Sequence, residues 1–176
     1  MFAVVITGPP GAGKTSVLTA LVDALSDDDI AHAALEVEMA AWTHPELTDE
    51  QWARHLRSAG ALYRQDGFTL LLVAQTLETD ADTAQLLQAV GVDEVFLVRL
   101  EAEPSTLVER LIEREPASWS GLPELVEHTQ ELAATMPDLT GVELVLSTEG
   151  QRPEDVAARI RAACPEQLAP APSSRR

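Results

Sequence analysis

Over its first 25 residues the sequence changes character twice, and this restricts the available folds more than any other feature. Residues 2–7, Phe-Ala-Val-Val-Ile-Thr, are short, β-branched and apolar, which reads as a strand buried on both faces of a parallel sheet. From Lys14 onward Val17, Leu18, Leu21, Val22 and Leu25 recur at the period of one helical face. Between the two lies Gly8-Pro9-Pro10-Gly11-Ala12-Gly13-Lys14-Thr15. A glycine-rich turn from strand to helix aims backbone N–H groups and the positive end of the helix dipole at one point, which suits a phosphate group.

The octapeptide satisfies the Walker A pattern in the strand-to-helix context that the pattern requires. Lys14 can bridge the outer phosphates of a nucleoside triphosphate, and the Thr15 hydroxyl can ligate Mg²⁺. The candidate nucleotide-binding residues are therefore Gly8, Pro9, Pro10, Gly11, Ala12, Gly13, Lys14, Thr15 and Ser16. Composition singles out Lys14 as well. Of the 12 basic residues it is the sole lysine, all others being arginine. A bias toward arginine explains a swap wherever either cation serves, but not this exception. A compact ammonium on a flexible stem is not interchangeable with a planar fork.

Other classes are disfavoured by charge and composition. A formal charge of −17 repels a nucleic-acid backbone, so no nucleic-acid partner is expected. Apolar runs such as residues 70–74 fall far short of the roughly 20 residues of a membrane helix, so no membrane partner is expected either. The glycine loop follows the first strand directly, with no secretory leader pattern, which points to the cytoplasm. Cys164 is the one cysteine, and His32, His44, His55 and His128 lack paired spacing, which argues against disulfide and zinc frameworks.

The remaining pattern alternates strand and helix. Strands are expected at residues 30–37, 68–74, 92–100 and 142–147. Thr48 and Gln51 have capping-box spacing for a helix to about Gln65, and Thr79 caps another over residues 80–90. Pro104 opens a helix to Glu115, residues 116–120 form a loop, and a further helix ends near Met136. Pro153 opens the last helix, to about Ala163. These alternations predict an α/β domain over residues 1–164, with helices on both faces of a parallel sheet. The Pro-, Ala- and Ser-rich residues 165–176 are expected to form a disordered tail.

Taken with the acids of Glu36-Val37-Glu38, the helix carrying Arg110 and Arg114, and Ser147-Thr148-Glu149-Gly150 before Pro153, the loop gives the chain a resemblance to a known group. It resembles the small P-loop kinases related to nucleoside monophosphate kinases, shikimate kinase, gluconate kinase and chloramphenicol phosphotransferase. The resemblance implies a three-layer P-loop NTPase fold, with a five-stranded parallel sheet in the order 2-3-1-4-5 and a small helical lid at about residues 110–125. It further implies ATP with Mg²⁺ as cofactors and transfer of the γ-phosphoryl group to a small-molecule acceptor. ATP over GTP rests on that resemblance, although an Asn-Lys-x-Asp signature is impossible with Lys14 the only lysine.

By the same resemblance Glu36 would hold Mg²⁺ through water together with Thr15, and Glu38 would act as base toward the acceptor hydroxyl. Alternation along a strand would put both carboxylates on one side. Lys14, Arg110 and Arg114 would act on the transferring phosphate, and Arg152 would lie against the adenine ring. Plainer readings stand beside these: solvated acids at a strand end, surface ion pairs to Glu109 or Glu113, and an ordinary loop opening a helix. Trp42 and Trp119 fall in loops where a flat ligand could stack, and tryptophans there also serve simply as packing.

The sequence also departs from the group. The third strand ends Val73-Ala74-Gln75, with no Walker B acid, so that either Glu78 or Glu36 would have to replace it. This keeps open an alternative to the kinase, an ATP-binding regulatory or interaction module. The acidic surface slightly favours a hydroxylated, weakly charged acceptor.

Overall fold

In the computed structural model, residues 1–40 and 43–168 are described, Pro165 by its backbone alone. Strand β1, Phe2–Thr7, leads through the glycine loop into α1, Lys14–Asp27. There follow β2 Ala33–Glu36, α2 Val37–Ala40, α3 Asp49–Gln65, β3 Leu70–Ala74, α4 Asp80–Val90, β4 Glu94–Glu101 and α5 Pro104–Arg114. The chain continues with α6 Leu122–Thr135, a 3-10 turn Met136–Asp138, β5 Leu144–Ser147, α7 Pro153–Ala163 and α8 Pro165–Leu168. All strand pairs are parallel, and the five strands run in the expected order, β2-β3-β1-β4-β5.

Strand periodicity sorts the core into two layers. Val4, Ile6, Leu72 and Leu100 face α1 and α7 and pack with Leu18, Leu21 and Ile160. Ala3, Val5, Leu71 and Val73 face α3 and α4 and pack with Leu56, Leu86 and Val90. Because β1 is buried on both faces, its run has no polar interruption before Thr7. Thr7 is itself fully buried, and its Oγ1 accepts the Leu77 N–H at 3.0 Å. That bond ties the root of the glycine loop to the segment after β3.

Both helix caps read from the sequence form. Thr48 with Gln51 and Thr79 with Asp82 each make reciprocal side-chain and backbone bonds. At β2 the expected strand over residues 30–37 is shorter. Asp29 turns with φ 55°, Ile30 N–H closes onto the Leu25 carbonyl, and the ladder begins only at Ala33. The tail expectation also needs correction. Pro165–Leu168 is helical and Leu168 is buried against the α1–α7 layer, because its apolar side chain meets that core. Residues 169–176 lie outside those described.

The segment expected as a lid comprises the end of α5, the following loop and the start of α6. Beyond it, the C-terminal end of α6 is anchored to the sheet: buried Arg99 of β4 donates to the Met136 carbonyl at 2.9 Å. Among the described residues no helix is long and apolar enough to cross a membrane.

Candidate active site

The glycine loop sits at the C-terminal ends of β1, β3 and β4, the edge where open parallel sheets bind ligands. Its shape depends on closeness to its neighbours. Gly11, at φ 81°, is so near α5 that a Cβ there would stand 2.7 Å from the Leu107 carbonyl oxygen. Gly13, at φ 88°, is the residue from which α1 starts, and space is open where its side chain would be. Thr15 and Ser16 follow on the first turn of α1, both exposed.

Lys14 is buried, 7% exposed, and its ammonium donates to the Gly8 carbonyl at 3.0 Å and the Pro9 carbonyl at 3.4 Å. Burial holds its pKa below the ordinary 10.5, nearby Arg114 adds to that effect, and Glu38 and Glu36 oppose it. Glu38 Oε1 lies 3.9 Å from Lys14 Nζ. That oxygen also accepts both the Thr76 backbone N–H, at 3.1 Å, and the Thr76 hydroxyl, at 2.6 Å. Burial alone would raise the Glu38 pKa. Lys14, the two Thr76 bonds and Arg114 together outweigh it and hold Glu38 below 4.5. Glu36 moves the other way, pushed up by burial and then by the Glu38 charge.

The two acids do not alternate along one strand as expected. Glu36 ends β2, whereas Glu38 lies in the short helix α2, where its carboxylate reaches Thr76 beyond the end of β3. Lys14 still senses both charges. Glu78, the other candidate for the missing Walker B acid, is turned elsewhere, onto His128 Nε2 at 2.9 Å. At the expected Walker B position Gln75 lines a neighbouring pocket, and its Oε1 is buried without a hydrogen-bond partner.

Arg110 and Arg114 have different surroundings. The Arg110 guanidinium bonds the Gly11 carbonyl at 3.1 Å, the Thr148 hydroxyl at 3.0 Å and the Thr148 carbonyl at 3.0 Å. It thereby joins the glycine loop to the β5–α7 loop. Glu149 completes this junction by accepting from the Glu103 N–H and the Thr106 hydroxyl, at the start of α5. Arg114 is exposed and bonded to the adjacent Glu115, yet close enough to act electrostatically on Lys14 and Glu38.

Two cavities flank this centre. One, of about 240 Å³, is lined by Gly13, Ser16, Arg110, Thr148, Gln151 and Pro153. The other, of about 330 Å³, is reached past Thr76 and includes Trp52, Gln75, Glu78 and Asp82. Arg152 does not line the first cavity. Its guanidinium forms a fork onto Asp155, Nε to Oδ2 at 2.9 Å and Nη2 to Oδ1 at 2.8 Å, because Asp155 lies one turn along the helix that Arg152 caps. The polar side chains that line it are Ser16, Arg110, Thr148 and Gln151.

Trp119 is exposed on the rim of a groove along α6, away from the glycine loop's own contacts, and Trp42 lies outside the described residues. Thr76, Gln75 and Thr148 had no assigned role in the sequence. The available clue was position alone, each standing one or two residues past the end of a strand. No group of three or more metal-binding side chains is present among the described residues. A Mg²⁺ accompanying a triphosphate needs fewer, since it keeps several waters, and the exposed Thr15 hydroxyl with a half-buried Glu36 fits that role.

No known sequence family matches the chain, and no curated protein is similar to it in sequence. Solved structures are similar in fold. A sugar kinase from a Janibacter species aligns with a TM-score of 0.68 at 20% identity, over 97% of this chain and 96% of its own. A gluconokinase from Sinorhizobium meliloti gives 0.63 at 17% identity, over 94% and 93%. An APS kinase from Mycobacterium tuberculosis, solved with AMPPNP and APS, gives 0.58 at 15% identity, over 93% and 96%. The chain thus has the fold of small P-loop kinases over nearly its whole length.

Proposed function

We propose that this chain is an ATP-dependent kinase that moves the γ-phosphoryl group onto a hydroxyl of a small-molecule acceptor. The observation that carries the proposal is the chain of contacts Lys14–Glu38–Thr76, which joins the phosphate loop to a second cavity. A protein that only held nucleotide would have no need of an ionised carboxylate between the two. That the structurally similar APS kinase was solved with AMPPNP supports ATP as the donor.

In this reading the loop N–H groups and Lys14 hold the triphosphate, and the adenine occupies the cavity beside Arg110, Thr148 and Gln151. Thr15 and, through water, Glu36 would hold Mg²⁺, which supplies neutralisation of charge on the phosphate oxygens. The acceptor oxygen bonds to the γ-phosphorus as the bridging bond to the β-phosphate breaks. Its proton passes to Glu38, and ADP leaves. Thr76 occupies Glu38 Oε1 and holds the carboxylate in place, so Oε2 is the atom that takes the proton. Arg114 would approach the transferring group as the segment after α5 closes, adding charge stabilisation.

One observation favours a second reading, an ATP-binding regulatory or interaction module: Gln75 stands where a metal-holding acid would be expected. The experiment is ADP release from Mg-ATP over a panel of nucleosides, nucleotides, sugars and hydroxylated antibiotics, with Lys14→Ala as control. Stimulation by one acceptor, lost in the variant, supports the kinase. ATP binding with no acceptor effect supports the module.

A further inference from the structure

We infer that Glu78 and His128 form a latch that ties the first half of α6 to the nucleotide site, so that a bound nucleotide steadies α6 through it. Such coupling needs the glycine loop to bind nucleotide, and it works whether or not an acceptor is then phosphorylated.

Thr76, Leu77 and Glu78 follow one another just past β3, and each reaches a different element. Thr76 donates twice to Glu38 Oε1 in α2, from its N–H at 3.1 Å and its hydroxyl at 2.6 Å. The Leu77 N–H donates to buried Thr7 Oγ1 at 3.0 Å, at the root of the glycine loop, and the Leu77 side chain is itself fully buried. The Glu78 carboxylate meets His128 Nε2 in α6 at 2.9 Å. An ionised carboxylate only accepts, so the ring nitrogen donates in this bond.

The two halves of α6 are held differently. In the second half Thr129 and Leu132 are buried, and Arg99 holds the Met136 carbonyl that follows. Over residues 122–128 no side chain is buried. Beyond its packing on α5, the one side-chain hydrogen bond that leaves α6 for another element, among the described residues, is Glu78–His128. Segments with few buried contacts open first, so a single bond at the end of this half has leverage on all of it. A nucleotide on the glycine loop restrains Thr7 and, through Leu77, the backbone that carries Glu78. A carboxylate held still keeps its partner for more of the time. By reciprocity the latch strengthens nucleotide binding to the same degree.

Amide hydrogen exchange of the full chain, read by mass spectrometry with and without Mg-AMPPNP, tests the coupling. The variants are His128→Ala, Glu78→Ala, both together, and His128→Gln, whose amide nitrogen can donate from the place of Nε2. Without nucleotide each alanine variant should exchange about two- to fivefold faster over residues 122–128, the range of an exposed side-chain pair, with β1 and β3 unchanged. The double variant should add little to either single one, and His128→Gln should recover most of the protection. Mg-AMPPNP should slow exchange over residues 8–16 and 122–128 in the parent, but over 8–16 alone in His128→Ala. Equal exchange over 122–128 in the parent and the alanine variants, or nucleotide protection there that survives His128→Ala, would overturn the inference. So would protection of the glycine loop in the parent with none in α6. Protection at neither place would remove nucleotide binding and the coupling together.

Discussion

Replacing Arg110 separates two roles that the sequence could not distinguish. As a clamp on the transferring phosphate, Arg110 would matter only to turnover. Its observed contacts make it a brace between the glycine loop, at the Gly11 carbonyl, and the β5–α7 loop, at Thr148. Arg110→Met keeps much of the stem and removes all three bonds. Hydrogen bonds to a charged donor contribute about 1.5–3 kcal/mol each, but these share one half-buried guanidinium and their acceptors can partly rehydrate. A net loss of about 2–4 kcal/mol follows, with a fall in Tm of about 5–15 °C for a chain of this size. ATP affinity should fall as well, since the same side chain lines the cavity beside Ser16 and Gln151. Thermal unfolding with and without Mg-ATP, together with a double-mutant cycle against Thr148→Val, measures each part. The two substitutions should be markedly non-additive. An Arg110→Met protein with unchanged Tm and ATP affinity but lost turnover would refute the brace and restore the phosphate clamp.

Lys14→Ala should abolish acceptor-dependent ADP release while Tm stays within about 3 °C of the parent or rises, since a buried ammonium with a lowered pKa is itself costly to the fold. A large drop in Tm in thermal unfolding would contradict this. Glu38→Gln should lower kcat far more than it weakens ATP binding, and equal turnover would make Glu38 a bystander. The pH dependence should divide into two windows. Glu38 is held below 4.5, so its stabilising contribution is present above 4.5 and is lost as pH falls through its lower native pKa; the acid limb of kcat should lie there. Glu36 is raised above 4.5, so its contribution is present below 4.5 and is lost as pH rises through its raised pKa. The Mg²⁺ concentration needed for half-maximal rate should therefore rise while pH is still above 4.5, before kcat falls. Gly11→Ala would put a Cβ 2.7 Å from the Leu107 carbonyl at φ 81°, and should cost at least about 2 kcal/mol in denaturant unfolding and loosen nucleotide binding.

Local patterns settled much of this molecule. The apolar run of β1, the glycine loop and the amphipathic spacing of α1 specify a strand–loop–helix unit by themselves, since each rests on neighbouring residues. The caps at Thr48 and Thr79 are likewise bonds between residues three apart, and both helices begin where their cap sequences placed them. Strand ends were less legible: β2 begins only at Ala33, where β3 stands beside it to pair, which no local rule conveys. What only the tertiary structure decided is where long side chains go once the strand ends are brought together. Arg110 meets Gly11 from 99 positions away, and Glu38 meets Thr76 from 38. Arg152, equally plausible by sequence as a nucleotide contact, had Asp155 waiting one turn along its own helix. A flexible charged side chain bonds whichever partner the fold brings within reach, and sequence spacing fixes that partner only when both lie on one element.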